Sequence, residues 1–513
     1  MRCLSTLYSS VSSSLTTDDE ADNDGSTTSS SSSLSSPPVT ILAATFGLMK
    51  VLLGTGALAL PSGLAAMSNY PHSLWAANGL MAGLGILSTY TFCLYGRLAH
   101  VTGGTTLGDI WTKIKQQKTD SQNTSATDTS NSSWVVSAAN FVYCFGCCVT
   151  FALVIGDLVS SLVRAIGVTK PVLMARQTSI MTILWAIVYP LCNLQSLAAL
   201  APVSIVGVLG TLVATLFIML RSPALVPSSP YNLAAGTQSP FLASLSSLPV
   251  FGTYHRMTNS PAPLILTAMA CVAWMAHFSA PEFYQSFRGT ANKDDASTMG
   301  VTSPTVALKK YTITAIAGYL GVGIVNALIL SYGFLTFGGT CKGIILNNYA
   351  AQDIGASISR LLIAISVVGG FPFLFSACRS SALDLVTLWS DKKEKIEKSD
   401  TETEAETRKK TKLATTVLMS IISAIALTVE DAGFVVSFNG ALMGTAIIYI
   451  FPSLLFLRHT STIRRGNSTG CKPWRFMGLE RMFCRGLIGF GVVSAVIGAI
   501  TAVLNSYFPH MLR

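Results

Sequence analysis

The sequence predicts an all-α integral membrane protein with about eleven transmembrane helices. Three observations predict this class: 50% of the 513 residues are hydrophobic, only 11% are charged, and uncharged stretches of bilayer-spanning length recur along the chain. A membrane-spanning helix needs about 20 mostly apolar residues, whereas a soluble chain of this length would need more charge to cover its surface. The composition therefore excludes an ordinary soluble protein.

Eleven segments match a template of that length. They are residues 40–66, 73–96, 134–156, 177–194, 199–220, 262–281, 311–338, 361–378, 413–430, 434–457 and 486–507. The fourth and fifth come from one uncharged run that is too long for a single span. Pro190, Asn193 and Gln195 interrupt this run with residues suited to a tight turn, so we divide it there.

The basic residues set the predicted orientation. With a cytoplasmic N-terminus, 25 of the 34 Lys and Arg residues fall in cytoplasmic segments and 7 on the opposite side, as the positive-inside rule requires. Lys50 and Arg360 are left in or at the edge of the membrane. This topology and anionic lipid explain the net charge of +10, so no nucleic-acid partner is expected.

The polar segments predict the domain organisation. Residues 1–38 are rich in Ser and Thr, cannot bury a core, and predict a disordered cytoplasmic tail. Residues 39–507 form the predicted membrane domain. Residues 115–133 and 391–412 are predicted cytoplasmic linkers, and the second has mixed charges that can extend a helix. Residues 221–260 form the longest loop on the far side.

Two spans contain residues that disfavour a regular helix. The first has Gly54, Thr55 and Gly56 at mid-membrane, with Pro61 five residues further on. The sixth has a histidine, a serine and a proline within residues 276–284. Five spans separate the two starts, so the second half enters the membrane inverted. Interrupted helices at matching positions of inverted halves indicate a ligand site at mid-membrane.

Unwound backbone offers N–H groups that suit a carboxylate and C=O groups that suit an ammonium group or a cation. A simpler interpretation is that Gly54 and Gly56 only allow close helix packing, that His277 is structural, and that Lys50 snorkels or pairs with an acid. His277 is the one histidine within a predicted span, so a membrane-embedded enzyme is not expected. The Cys144, Cys147 and Cys148 cluster has no acid or histidine beside it, so neither a metal nor a cofactor is predicted.

The order of these motifs resembles the amino acid/auxin permease family of the amino acid–polyamine–organocation superfamily. The resemblance runs from about residue 40 to 460. It is carried by residues 48–61 and 276–284, by 190–198 at the turn between spans four and five, by 333–338 and 347–349, and by Arg360, Phe371, Pro372 and Arg379.

The resemblance implies a LeuT-like fold: five-plus-five inverted repeats over about 40–220 and 262–457, with an extra helix at about 486–507. It also implies transport of neutral or cationic amino acids, coupled to protons or sodium. Carried over to this sequence, the backbone amides of one segment would bind the substrate carboxylate, and the other segment would face its α-amino group. The first segment is Gly54, Thr55 and Gly56, and the second contains Ala276, His277 and Ser279.

Two departures bear on the coupling ion. Glu282 lies where relatives often carry a basic or neutral residue, and Gly369-Gly370 lies where sodium-coupled relatives tend to carry a hydroxyl residue. We therefore favour protons over sodium. Lys50 and His277 are the candidate proton-linked residues, since an intramembrane charge is costly and an imidazole titrates near neutral pH.

The sequence thus predicts a monomeric secondary active transporter of amino acids that works by alternating access in a vacuolar, lysosomal or plasma membrane. The alternative from another class is a non-transporting amino-acid sensor that binds in the same pocket and signals through its cytoplasmic segments. The sequence does not name the amino acid.

Overall fold

The computed structural model describes most of the predicted membrane domain. It covers residues 40–120, 133–168, 170–194, 201–232, 240–245, 247–252, 260–288, 303–390, 404–465, 477–508 and 511. The predicted tail, 1–38, and residues 391–403 of the second linker lie outside these ranges, so those two predictions stay predictions.

The first five spans are helices, and the first span is divided into two helices by a break. The helices are α1 (Ile41–Leu52), α2 (Thr55–Met67), α3 (Ser73–Thr102), α4 (Leu107–Asp120), α5 (Ser133–Ala165), α6 (176–192, with a π-helical turn at Leu184–Val188) and α7 (Ala201–Arg221).

The second half repeats this pattern and begins with another divided span. Its helices are α8 (Pro263–Ala273), α9 (Ala280–Arg288), α10 (Pro304–Phe337), α11 (Ile354–Ser390), α12 (Glu404–Thr428), α13 (432–465, with π-helical turns at Gly440–Gly444 and Ala446–Ile450) and α14 (Met477–Tyr507).

Every predicted span coincides with helix. Within the described residues, eight helices are long and apolar enough to cross a membrane, and the bent pair α1–α2 makes a ninth. The predicted fourth and fifth spans correspond to the shorter helices α6 and α7. The all-α membrane class is thereby confirmed, whereas the exact number of crossings stays a prediction.

The predicted boundaries were too narrow at several ends. Helix α11 begins at residue 354 instead of 361 and ends at 390 instead of 378, and α5 continues to residue 165 instead of 156. A template of bilayer length detects only the apolar part of a helix, but backbone hydrogen bonding continues into water wherever side chains permit.

The predicted linker 115–133 starts within a helix, and residues 121–132 lie outside the described ranges. Its first residues belong to the amphipathic helix α4, which begins at Leu107. The buried side chains of Ile110, Trp111 and Ile114 attach α4 to the bundle, and Trp111 stacks under the guanidinium of Arg458 at 4.8 Å. This spacing is the i, i+3, i+4 pattern of a surface helix, but the helix is too short and polar for a search based on spanning length.

Spans 1 to 4 each pack with their counterpart five spans later, and these eight spans form two groups. Spans 1, 2, 6 and 7 form one group through the pairs α2–α8, α3–α10 and α1–α10, and spans 3, 4, 8 and 9 form the other around α5 and α11. Helix α14 packs outside, against α13 and α8. This pairing is the arrangement that a LeuT-like fold of two five-span repeats requires.

Arg360, one of the two basic residues left near the membrane, fixes the loop between spans 7 and 8. Its buried guanidinium donates to the carbonyl oxygens of Leu346 at 2.9 Å, Ala350 at 3.2 Å and Tyr349. A charge-assisted bond to each carbonyl satisfies polar backbone that would otherwise be costly to bury.

Candidate functional site

The first span breaks at Gly54. Helix α1 ends when the amide of Leu53 donates to the Met49 carbonyl, and Gly54 then adopts an extended conformation, with φ −124° and ψ −167°. The chain resumes as α2, bent by 50° from α1. Pro61 lies inside α2 and does not break it, so the interruption comes from the glycine and not from the proline.

The N-terminus of α2 has the features of an anion-binding site. The first N–H groups of a helix have no intrahelical partner, and Gly54 at the N-cap has no side chain to satisfy them. The positive end of the helix dipole adds to their attraction for a negative group. Thr55 and Gly56 supply these first amides.

The sixth span is interrupted over residues 274–279. Trp274 still donates to the Ala270 carbonyl, but Met275 donates to Val272 in a tighter turn, and a 3-10 turn at His277–Ser279 leads into α9. Gly56 lies directly against this break, because a β-carbon added to it would lie 3.0 Å from the Ala273 nitrogen. The two interruptions therefore meet at mid-membrane.

A cavity of about 110 Å³ lies where the breaks meet. Among the described residues, its lining comes from spans 1, 3, 6, 8 and 10 and contains no Asp, Glu, Lys, Arg or His. The lining residues are Val51, Leu52, Gly54, Thr55, Gly56, Tyr143, Cys147, Thr150, Phe151, Val272, Met275, Phe278, Leu374, Val436 and Asn439.

The structure brings only part of the sequence-predicted site to this cavity. Gly54, Thr55 and Gly56 line it. The sixth-span residues that line it are Val272, Met275 and Phe278, whereas the predicted Ala276, His277 and Ser279 do not. The irregular turn in span 6 rotates the chain about the helix axis and so changes which side chains face the cavity. The size of this rotation cannot be predicted from the sequence. The roles predicted for Ala276, His277 and Ser279 stay predictions, and only their backbone lies near the break.

His277 faces span 2 behind the break. Its ring is fully buried, Nε2 lies 3.0 Å from the Thr91 hydroxyl and 3.1 Å from the Ser88 carbonyl oxygen, and Nδ1 has no partner within the described residues. The rings of Phe92 and Tyr95 meet it edge-on. The ring is thus separated from the cavity and held between spans 2 and 6.

Lys50 lies one turn before the break, at the interface of spans 1 and 8. The residue is exposed, its Nζ lies 5.6 Å from the ring centroid of Phe373, and no carboxylate in the described ranges pairs with it. The interpretation in which an acidic partner holds Lys50 therefore receives no support from these contacts. A cation over an aromatic face is attracted by the ring quadrupole.

Sequence reasoning missed the contribution of spans 3 and 10. Tyr143, Cys147 and Thr150 present one face of α5 to the cavity, and Asn439 reaches it from α13. The available signal was the spacing of polar residues: 143, 147 and 150 follow a helical face, and Asn439 is an amide within an apolar span.

Two polar cavities of about 440 and 410 Å³ lie on the far side and share Lys342, Gly343 and Asp431. A β-carbon on Gly343 would overlap the Asp431 carboxylate and the backbone of Gly433, so the loop between spans 7 and 8 lies directly against the start of span 10. Burial lowers the pKa of Lys342, which lies in this loop outside the membrane-spanning segments.

An ion pair joins the walls of the larger cavity. Arg176 pairs with Asp157 at 2.5 Å and donates to the Val429 carbonyl at 3.0 Å, while Asn347 donates to Asp157 at 2.9 Å. Spans 3, 4 and 9 and the loop after span 7 are thereby connected on this side.

The broken spans, the uncharged cavity and the paired helix groups agree with the result of a family comparison. The family model described as transmembrane amino acid transporter protein matches residues 37–504. This chain belongs to the transmembrane amino acid transporter family. The resemblance inferred from the motifs is therefore confirmed, and the chain is a multi-pass membrane transporter protein and not an enzyme.

Individual relatives match most of the chain at low sequence identity. Sodium-coupled neutral amino acid transporter 7 of Danio rerio is 23% identical over 480 residues, which cover 89% of this chain and 84% of that protein. Vacuolar amino acid transporter 2 of Saccharomyces cerevisiae is 23% identical over 372 residues, covering 72% and 67%. Among solved structures, the inward facing conformation of Mhp1 aligns with 12% identity and a TM-score of 0.47 over 93% of this chain and 92% of that one.

Proposed function

We propose that this protein is a secondary active transporter that moves amino acids by alternating access, with the substrate bound at the broken spans. The observation that carries this proposal is the uncapped N-terminus of α2 at a cavity without ionised side chains. The amides of Thr55 and Gly56 bind the substrate carboxylate, and carbonyl groups of the unwound 274–279 segment face its ammonium group. No other charge in the lining competes for either end.

Protons are the coupling ion in this proposal. Lys50 supports it, because its ammonium lies one turn before the break and faces the ring of Phe373 in span 8, near the region where the resemblance implies that sodium-coupled relatives bind their ion. A proton that leaves and returns to Lys50 could then replace the cation. The second candidate is sodium, which the printed name of the Danio rerio relative favours. In that case the backbone at Gly369 and Gly370 would supply ligands.

Uptake into reconstituted vesicles tests both the proposed transport of amino acids and the proposed coupling to protons. We expect labelled neutral amino acids to accumulate when a pH gradient is applied at fixed membrane potential without sodium. Accumulation that needs sodium and ignores pH would reverse the coupling assignment. Binding without any accumulation or exchange would instead indicate the sensor alternative, which neither the family model nor the named relatives favour.

The protein is proposed to act as a monomer in a vacuolar, lysosomal or plasma membrane. The described lining of the cavity comes from five spans of one chain, which supports a monomer. The yeast relative is named as vacuolar, which favours an acidic compartment. Fluorescence microscopy of a tagged chain beside vacuolar, lysosomal and plasma-membrane markers tests the location, and the mass of the purified protein in detergent tests the oligomeric state.

A further inference from the structure

Asn439 reaches the cavity from an irregular part of span 10. Helix α13 is regular up to this residue and then forms a π-helical turn over Gly440–Gly444. An extra residue in a helical turn shifts which side chains face inward, and such turns are frequent at functional sites. Gly440 makes the approach possible, since a β-carbon there would overlap the Ala268 carbonyl of span 6.

The amide of Asn439 is held in one orientation by span 3. Its Nδ2 donates to the Tyr143 carbonyl at 3.1 Å and to the Cys147 sulfur at 3.3 Å. The amide lies directly on Gly146, where a β-carbon would come within 2.6 Å of the Asn439 Cγ. Both amide hydrogens and the space around them are therefore taken up by span 3.

The amide oxygen is left for the cavity. Within the described residues Oδ1 accepts no hydrogen bond, and it is not among the fully buried polar atoms that lack a partner, so it opens on the space that Asn439 lines. The Thr150 hydroxyl, which also lines the cavity, donates to the Gly146 carbonyl at 3.0 Å, and this leaves its own oxygen as a second acceptor. This wall of the cavity offers acceptors without charge.

From these contacts we infer that Asn439 is a specificity-determining residue that accepts a hydrogen bond from the substrate side chain. The inference rests on the proposed transport of amino acids and names the side chains that the site favours: small, neutral and ending in a hydrogen-bond donor. The cavity volume of about 110 Å³ favours small amino acids. An apolar isostere of such a substrate would not donate a hydrogen bond to the Asn439 oxygen.

Competition between isosteric substrates tests the inference. Threonine and valine have nearly the same shape, but only threonine carries a donor, so we expect the intact protein to prefer threonine by about threefold to tenfold, the worth of one neutral hydrogen bond. Asn439→Leu should bring this ratio close to one. The ratio is measured within one preparation, so a change in protein abundance does not alter it.

The matched control is Asn326→Leu. Asn326 is a fully buried asparagine of span 7, outside the cavity lining, whose amide atoms have no hydrogen-bond partner in the described ranges. The same substitution there should leave the threonine-to-valine ratio unchanged. An altered ratio in this control would overturn the assignment of specificity to Asn439.

A second variant covers the case in which Asn439→Leu does not fold. Asn439→Asp keeps the size and adds a negative charge, so it should gain uptake of 2,3-diaminopropionate, which has the shape of serine with an ammonium group in place of the hydroxyl. Equal loss of threonine and valine uptake in both variants would overturn the inference, because Asn439 would then serve a group common to all substrates. An intact protein that takes up no amino acid would refute the proposed transport instead.

Discussion

The imidazole Nε2 of His277 lies 3.0 Å from the hydroxyl oxygen of Thr91, and both residues are buried. This contact fastens the broken sixth span to the unbroken second span on the side away from the cavity. The sequence predicts a role for His277 at the substrate, but its ring contacts the protein and not the cavity.

His277→Leu should therefore reduce stability before it affects specificity. The substitution removes the hydrogen bonding of Nε2 to the Ser88 carbonyl and the Thr91 hydroxyl, which keep partners within span 2, at a cost of about 0.5–1.5 kcal/mol. Thermal unfolding in detergent measures the loss, with Phe283→Leu, a half-buried residue of the same span, as the control. An unchanged melting temperature together with lost pH-driven uptake would instead support His277 as a proton-linked residue.

Gly56→Leu should abolish substrate binding while the protein still reaches the membrane. The added side chain would enter a space where even a β-carbon lies 3.0 Å from the Ala273 nitrogen, and where the carboxylate must approach to about 2.9 Å. Gly79→Leu is the control, because nothing lies within 4 Å of a β-carbon there. Equilibrium binding of a labelled amino acid measures the effect, and normal binding by Gly56→Leu would show that this glycine serves helix packing alone.

Lys50→Met should uncouple transport. The substitution removes the ammonium that the proposal assigns to proton exchange, so a pH gradient should no longer drive accumulation, while exchange of internal for external substrate continues. Measurement of both activities in the same vesicles separates coupling from binding. Retained pH-driven accumulation in Lys50→Met would exclude Lys50 as the coupling residue.

Cysteine accessibility should confirm the orientation. Asp120→Cys and Asp400→Cys should react with an impermeant reagent from the cytoplasmic face, and Pro240→Cys from the opposite face. The chain without an introduced cysteine supplies the background reaction. Residues 120 and 240 on the same face would contradict the eleven-span topology.

The sequence was sufficient for the membrane class and for the position of both broken spans. Apolar run length is a direct consequence of bilayer thickness, and the glycines at 54 and 56 mark the first break because glycine disfavours the interior of a helix. The amphipathic helix α4 was missed because its pattern is polar over most of its surface.

The side chains that face the cavity could not be predicted as well. In a regular helix the facing residues follow from a period of 3.6, but the 3-10 turn at His277 and the π-helical turn after Asn439 each rotate the chain by an amount that depends on tertiary contacts. The glycine Gly440 permits one of these turns without requiring it. Residue types therefore indicated where the site lies, and the fold alone decided which atoms form it.

The absence of ionised side chains from the cavity lining has an electrical consequence. A zwitterionic amino acid adds no net charge to such a site, so the charge that crosses the membrane in one cycle equals that of the coupling ions. The ratio of current to labelled uptake would then count ions per substrate directly. One ion moving through 100 mV supplies about 2.3 kcal/mol, which sustains an accumulation of about fiftyfold.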